Sequence, residues 1–119
     1  MTAGLVTFST HVLDATTGRP AAGIRIRLDR SLADGGWAPA AEGQADADGR
    51  LRLPDGLEPD GLEPGVYRVT FGTGAYFAAR GSASFYPEVA ITFSAMAPGE
   101  HCHVPLLLSP FAYSTYRGS

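Results

Sequence analysis

Hydrophobic and polar residues alternate along most of this chain, the period of a strand with one buried face rather than of a helix. Val6, Phe8 and Val12 fall on one side of the first segment, and Thr7, Ser9 and His11 on the other. Ile24, Ile26 and Leu28 oppose Arg25, Arg27 and Asp29. After the turn Asp46-Ala47-Asp48-Gly49, Leu51 and Leu53 oppose Arg50 and Arg52. Tyr67, Val69 and Phe71 oppose Arg68 and Thr70, and Val89, Ile91 and Phe93 oppose Thr92 and Ser94. Cys102, Val104, Leu106 and Leu108 share a face, which leaves His101, His103, Pro105 and Leu107 on the reverse. A weaker strand fits around Trp37, and Phe111 to Tyr116 reads as the last one. About eight short strands separated by Gly, Pro and Asp turns predict an all-β sandwich.

One segment departs from the alternation. Gly72 to Gly81 carries the helix formers Ala75, Ala78 and Ala79, with Thr73 as a candidate N-cap and Gly81 as a stop. It predicts a short helix over about residues 74–80 between two strands. Gly56 to Pro64, "GLEPDGLEP", reads as a polar, proline-broken loop too short to be an architectural repeat.

Composition narrows the function classes. The chain has 119 residues, enough for a single domain, with 45% hydrophobic and 18% charged residues. Its net charge is -3, and all nine positive charges are arginines. No clustered basic stripe suggests nucleic acid. Cys102 is the only cysteine, so no internal disulfide forms and a reducing compartment is permitted. The opening residues lack a basic n-region followed by an apolar run, and no apolar stretch has membrane-spanning length. A cytoplasmic protein with no membrane partner is expected.

The candidate chemistry lies on the polar faces. All three histidines, His11, His101 and His103, sit opposite apolar positions, where a core histidine would not be. Near neutral pH an imidazole takes a proton from water and returns it as imidazolium. The competing reading is three solvated surface histidines. His101-x-His103 also permits a metal reading, because residues i and i+2 of a strand project together and His11 could be a third ligand. Arg50 opens a strand after a tight turn and is either a solubilising charge or a fixed fork for a carbonyl or anionic heterocycle. Cys102 should point into the core as a small hydrophobe. No Gly-x-Ser-x-Gly elbow supports a serine hydrolase. On the tail, Ala112, Ser114 and Tyr116 share an uncharged face beside Pro105 and Leu107, which predicts a subunit contact rather than open water.

Four stretches together resemble the 5-hydroxyisourate hydrolases, the transthyretin-related enzymes of purine breakdown. They are "STHVLDATTGRPAAGI", "DADGRL", "TGAYFAARG" with "FYPEV", and "HVPLLLSPFAYSTYRGS", and they cover nearly the whole chain. The closing Tyr-Arg-Gly-Ser is the most specific, since it separates these enzymes from hormone-carrying transthyretin. The resemblance implies a transthyretin-like β-sandwich of two four-stranded sheets with one short helix, a single domain over residues 1–119. It implies a homotetramer built as a dimer of dimers, with sites where dimers face each other. It carries catalytic or binding roles onto His11, Arg50, His103 and the terminal Tyr116, Arg117, Gly118 and Ser119. Among these His11, Arg50, His103 and Ser119 are catalytic, and His101 matches with a lesser role. The substrate implied is 5-hydroxyisourate, hydrolysed by histidine acid–base chemistry without metal or other cofactor. Two departures stand out: Cys102 replaces the family's usual tyrosine, and Ala112 its usual glycine. A non-catalytic carrier of small ligands and a zinc-dependent cyclic-amide hydrolase remain the alternatives.

Overall fold

A computed structural model describes residues 4–53 and 61–119. The chain forms β1 (Thr7–Asp14), β2 (Arg19–Pro20), β3 (Arg25–Ser31), β4 (Trp37–Gln44), β5 (Arg50–Leu53), β6 (Gly65–Phe71), α1 (Thr73–Ala78), β7 (Val89–Ala95), β8 (His101–His103), β9 (Leu106–Ser109) and β10 (Ala112–Thr115). One sheet runs β4-β3-β6-β7 and is antiparallel throughout. In the other, β1 is central: β5 and β2 lie antiparallel along one flank, β8 and β9 parallel along the opposite flank, and β10 outside β9.

This second sheet contains six segments rather than the four strands implied by the resemblance, but they occupy four lanes. The expected strand from Cys102 to Leu108 is interrupted at Val104 and Pro105, where proline can donate no ladder hydrogen bond. Its register against β1 is nevertheless continuous, with Ser9 beside His103 and Val12 beside Leu106. The two-residue β2 extends the lane of β5 and was not legible as a strand.

Alternation survives folding. In β1 every second residue, Phe8 through Asp14, is buried while Thr7, Ser9 and His11 are only partly so. Ile24, Ile26, Leu28, Tyr67, Val69, Phe71 and Val89 join Phe8 and Val12 in one core between the sheets. Phe8 of β1 stacks on Phe93 of β7 at 5.6 Å, and Tyr67 lies 6.3 Å from the same ring. Offset aromatic pairs of this kind add packing specificity to ordinary apolar burial.

The helix falls where expected, over Thr73–Ala78, but Thr73 is not its cap. Gly72 occupies that position, and the Thr73 hydroxyl donates to the Tyr86 carbonyl at 3.1 Å. The hydroxyl donates to a tertiary carbonyl instead of accepting from a first-turn N–H, as a cap would. The Tyr76 hydroxyl donates to Asp14 Oδ2 at 2.9 Å, which ties the helix to the end of β1. Residues 56–60 of the "GLEPDGLEP" loop lie outside the described residues, while Leu62 pairs with Val6.

Pro105 corrects an expectation. It was expected to point outward into a subunit contact, yet it is buried within one chain. The reason is the tail, which folds back alongside it. Thr115 Oγ1 donates to the Pro105 carbonyl at 2.7 Å, and Gly118 N donates to the His103 carbonyl at 2.9 Å. Leu107 does remain 40% exposed, as alternation predicts.

Candidate active site

The outward face of β1 and its two flanks assembles the candidate site. The local sequence explains how Arg50 reaches it. Asp46 Oδ1 accepts from the backbone N–H groups of Asp48 (2.9 Å) and Arg50 (3.0 Å), and Gly49 N donates to the Asp46 carbonyl at 2.9 Å. Gly49 adopts φ +76°, and a Cβ there would strike the Val12 carbonyl. Only glycine lets the turn approach β1 this closely. Val12 N in turn donates to the Gly49 carbonyl at 2.8 Å, which fixes the turn next to His11. His11 therefore pairs with Arg50, and Ser9 with Arg52.

Across β1, Ser9 pairs with His103 and Thr7 with His101. The polar side chains form a continuous row. Thr7 Oγ1 lies 2.6 Å from His101 Nδ1, Ser9 Oγ lies 2.7 Å from His101 Nε2, and Ser9 Oγ lies 2.8 Å from His103 Nδ1. Ser9, Thr10, Gln44, Asp46, Arg50, Leu51, Arg52 and His103 surround a pocket of about 410 Å³. That volume is within the range, roughly 300–1,000 Å³, that suits a small ligand.

Electrostatics favour a neutral imidazole at His103. Burial lowers its basicity first, the Arg50 guanidinium and then His11 add to the effect, and a hydrogen bond to the Ser9 main chain opposes them. His101 is lowered as well, by burial, then Arg52, then His103. Both rings hence stay unprotonated to lower pH than an ordinary histidine. The unfolded chain binds protons at these two positions more readily than the folded one, so their contribution to stability is lost as pH falls through the ordinary histidine range. For a reaction that uses His103 as a base, the acid limb of kcat/KM is expected below the reference value of 6.5. A pH–rate profile checks this, and an inflection at or above that value contradicts it.

The tail divides between two places. Gly118 lies against the His103 ring: a Cβ on it would overlap Cδ2 and sit 3.1 Å from Cγ. Ser119 follows directly and is exposed. Tyr116 and Arg117 instead border a different cavity of about 340 Å³, with Ile91, Phe93, Glu100 and Cys102. Tyr116 was expected on one face with Ala112 and Ser114, beside the histidines. Regular pairing of β10 stops at Thr115, so alternation no longer fixes where Tyr116 points. Arg117 reaches Glu100 at 2.9 Å.

Cys102 also borders that second cavity and is half-buried rather than fully in the core, while still packing against it. Burial raises its thiol pKa, and the neighbouring Glu100 raises it further. A thiol held protonated in this way is not a nucleophile. Among the described residues, no group of three His, Cys, Asp or Glu side chains is arranged to hold a metal ion. Ser9, Gln44, Asp46 and Arg52 were not singled out from the sequence as pocket residues. The available signal for Ser9 and Arg52 was alternation, which put them on the faces of His11 and Arg50.

Comparison with known proteins agrees with this arrangement. Residues 8–118 match the model of the HIUase/Transthyretin family. A 5-hydroxyisourate hydrolase of Salmonella typhi is 43% identical over 120 residues, covering 100% of this chain and 85% of the relative. The structure of Klebsiella pneumoniae 5-hydroxyisourate hydrolase superposes with a TM-score of 0.80 at 36% identity, covering 97% of this chain and 100% of that one. Sea bream transthyretin, solved in complex with thyroxine, gives a TM-score of 0.84 at 36% identity, covering 93% of each chain. Similarity of backbone alone does not separate the hydrolase from the carrier; the side chains on the outer face must.

Proposed function

Because this chain belongs to the HIUase/Transthyretin family, we propose that it is a 5-hydroxyisourate hydrolase of purine breakdown, forming 2-oxo-4-hydroxy-4-carboxy-5-ureidoimidazoline. The observation that carries this reading is one pocket on the outer sheet face where Arg50 and His103 converge, with His11 paired beside Arg50.

The chemistry follows from the groups present. Water attacks a ring carbonyl, the carbonyl oxygen takes up negative charge, and the C–N bond then opens as its nitrogen gains a proton. A neutral His103, with His11 nearby, positions the water and accepts its proton. Arg50, always charged, holds the substrate oxygens and stabilises the oxyanion, where a fixed cation acts most strongly on developing charge. One of the imidazoles returns the proton to the leaving nitrogen. We assign Ser119, exposed and next to the Gly118 that lies on His103, to the catalytic set; glycine at 118 lets the tail lie flat on the ring. We assign Tyr116 and Arg117 to substrate binding in the assembled protein, not within one protomer, where they border the second cavity. No step requires a metal or a covalent intermediate.

Residues 1–119 act as one domain in this reading, in the cytoplasm, and assemble as a homotetramer. Support for assembly comes from Leu107, 40% exposed, beside a β10 whose residues are all exposed and uncharged. Sizing in solution at four times the mass of one chain is the expected result.

The direct test mixes the protein with freshly generated 5-hydroxyisourate and follows its ultraviolet decay against buffer. Rapid decay that persists after exhaustive chelation is expected. No acceleration over buffer eliminates the hydrolase, and activity lost on chelation and restored by zinc replaces the mechanism with a metal-dependent one.

A further inference from the structure

The row of hydroxyls and imidazoles on β1 and β8 leads beyond the assigned set. The geometry points to Ser9 as a positioning residue for the reaction: its hydroxyl bridges His101 and His103 and fixes which nitrogen of His103 meets the substrate without a proton. This inference rests on the hydrolase reading above and deepens it.

Ser9 Oγ has one hydrogen to donate and lone pairs to accept with. It contacts two ring nitrogens, His101 Nε2 at 2.7 Å and His103 Nδ1 at 2.8 Å. It can donate to only one, so the other must donate to it. Because Nδ1 is the nitrogen held against the Ser9 hydroxyl, a His103 that acts as a base must present Nε2 free. In that role the proton of neutral His103 sits on Nδ1. Ser9 accepts from it and donates to His101 Nε2. His101 then holds its own proton on Nδ1 and donates to Thr7 Oγ1, 2.6 Å away. Every group in the row is satisfied with one polarity, and that polarity leaves His103 Nε2 unprotonated. This is the form a general base needs. The opposite polarity would put a proton on Nε2 and present a donor where the water must be activated.

Position supports the assignment. Ser9 sits between His103 and Arg52 in the sheet, and the pocket is lined by Ser9 and His103 together. The charged and titratable groups facing His103 are His11 on β1, Arg50 and Arg52 on β5, Asp46 in the preceding turn, and His101 on its own strand. None of these is a hydrogen-bond partner of His103 Nδ1; the Ser9 hydroxyl is.

The test compares the wild-type protein with Ser9→Ala and Ser9→Thr in full-length, assembled form. Long-range proton–nitrogen spectra of nitrogen-15 histidine-labelled protein read the tautomers, and the ultraviolet assay reads the kinetics. Wild type should show His103 protonated on Nδ1. Ser9→Ala should lose that single tautomer and lower kcat by about tenfold or more, less than the roughly 10²–10⁴ of a whole acid–base group because the imidazole itself remains, with KM nearly unchanged. Its acid limb should move to lower pH, because the imidazolium loses an acceptor. Ser9→Thr, which keeps the hydroxyl, should restore both spectrum and rate. A Ser9→Ala protein with an unchanged His103 tautomer, or with kcat within about twofold of wild type, overturns the assignment. So does a loss that Ser9→Thr fails to rescue. The spectra judge the hydrogen-bonded row even where wild type does not hydrolyse 5-hydroxyisourate, a result that would remove the hydrolase reading instead.

Discussion

Replacing His103 or Arg50 with alanine is expected to lower kcat/KM for 5-hydroxyisourate by about two to four powers of ten, whereas His101→Ala costs far less. His103 and Arg50 both line the pocket, and the guanidinium helps hold the imidazole neutral. Removing His103 takes away the base; removing Arg50 takes away the fixed charge for the oxyanion. Arg50→Lys should recover only part of the loss, because a lysine offers a point charge in place of a planar fork. His101 is exposed and touches His103 only through Ser9. Water can take its place against the Ser9 hydroxyl. Steady-state rates for the four variants, with melting curves to confirm folding, decide the matter. Equal losses for His101→Ala and His103→Ala would mean that the base has been assigned to the wrong ring.

The second large effect is expected from the smallest substitution. Gly118→Ala should reduce kcat/KM by about a hundredfold while leaving the melting temperature nearly unchanged. An added Cβ at Gly118 overlaps His103 Cδ2 and lies 3.2 Å from the His103 carbonyl. Either the ring or the tail must move, and a displacement of about 1 Å in a catalytic group can cost that factor. The sandwich should be indifferent, since Gly118 lies outside the core cluster and beyond the last strand. Deleting Tyr116 to Ser119, or extending the chain past Ser119, should likewise impair turnover in a folded protein. A fully active Gly118→Ala variant would show that the tail can shift without disturbing His103, and the contact would lose its catalytic meaning.

These two predictions draw on different sources. The roles of His103 and Arg50 were already suggested by their places on polar strand faces and by the resemblance. The contact of Gly118 with an imidazole is a tertiary one, made between residues 15 positions apart. The terminal tetrapeptide could be read as important from its residue types, but its division could not: Gly118 packs on His103, while Tyr116 and Arg117 turn to the cavity beside Cys102 and Glu100. Past Thr115 the regular β10–β9 pairing ends and the backbone is held instead by the Gly118 N–H on the His103 carbonyl, so the period of two loses its meaning.

What the sequence determined by itself is what a short stretch of chain decides locally. Alternation at period two marks the buried side of strands such as β1 and β3, since successive side chains of an extended backbone point in opposite directions. That put Phe8 and Val12 inward and Thr7, Ser9 and His11 outward before any partner strand was known. The Asp46 to Gly49 turn was equally local: an aspartate oxygen bonds backbone groups two and four residues on, and a glycine takes a positive φ. What only the tertiary structure decided is the meeting of residues far apart in sequence. Ser9 and His103 are 94 residues apart and touch because β8 runs parallel to β1 in one register. A shift of one residue in that pairing would turn every histidine of β8 to the other face. Burial of Pro105 under the returning tail and the capture of the Thr73 hydroxyl by the Tyr86 carbonyl have the same origin. Each depends on a competing partner that arrives from elsewhere in the chain, and nothing in the local sequence announces it.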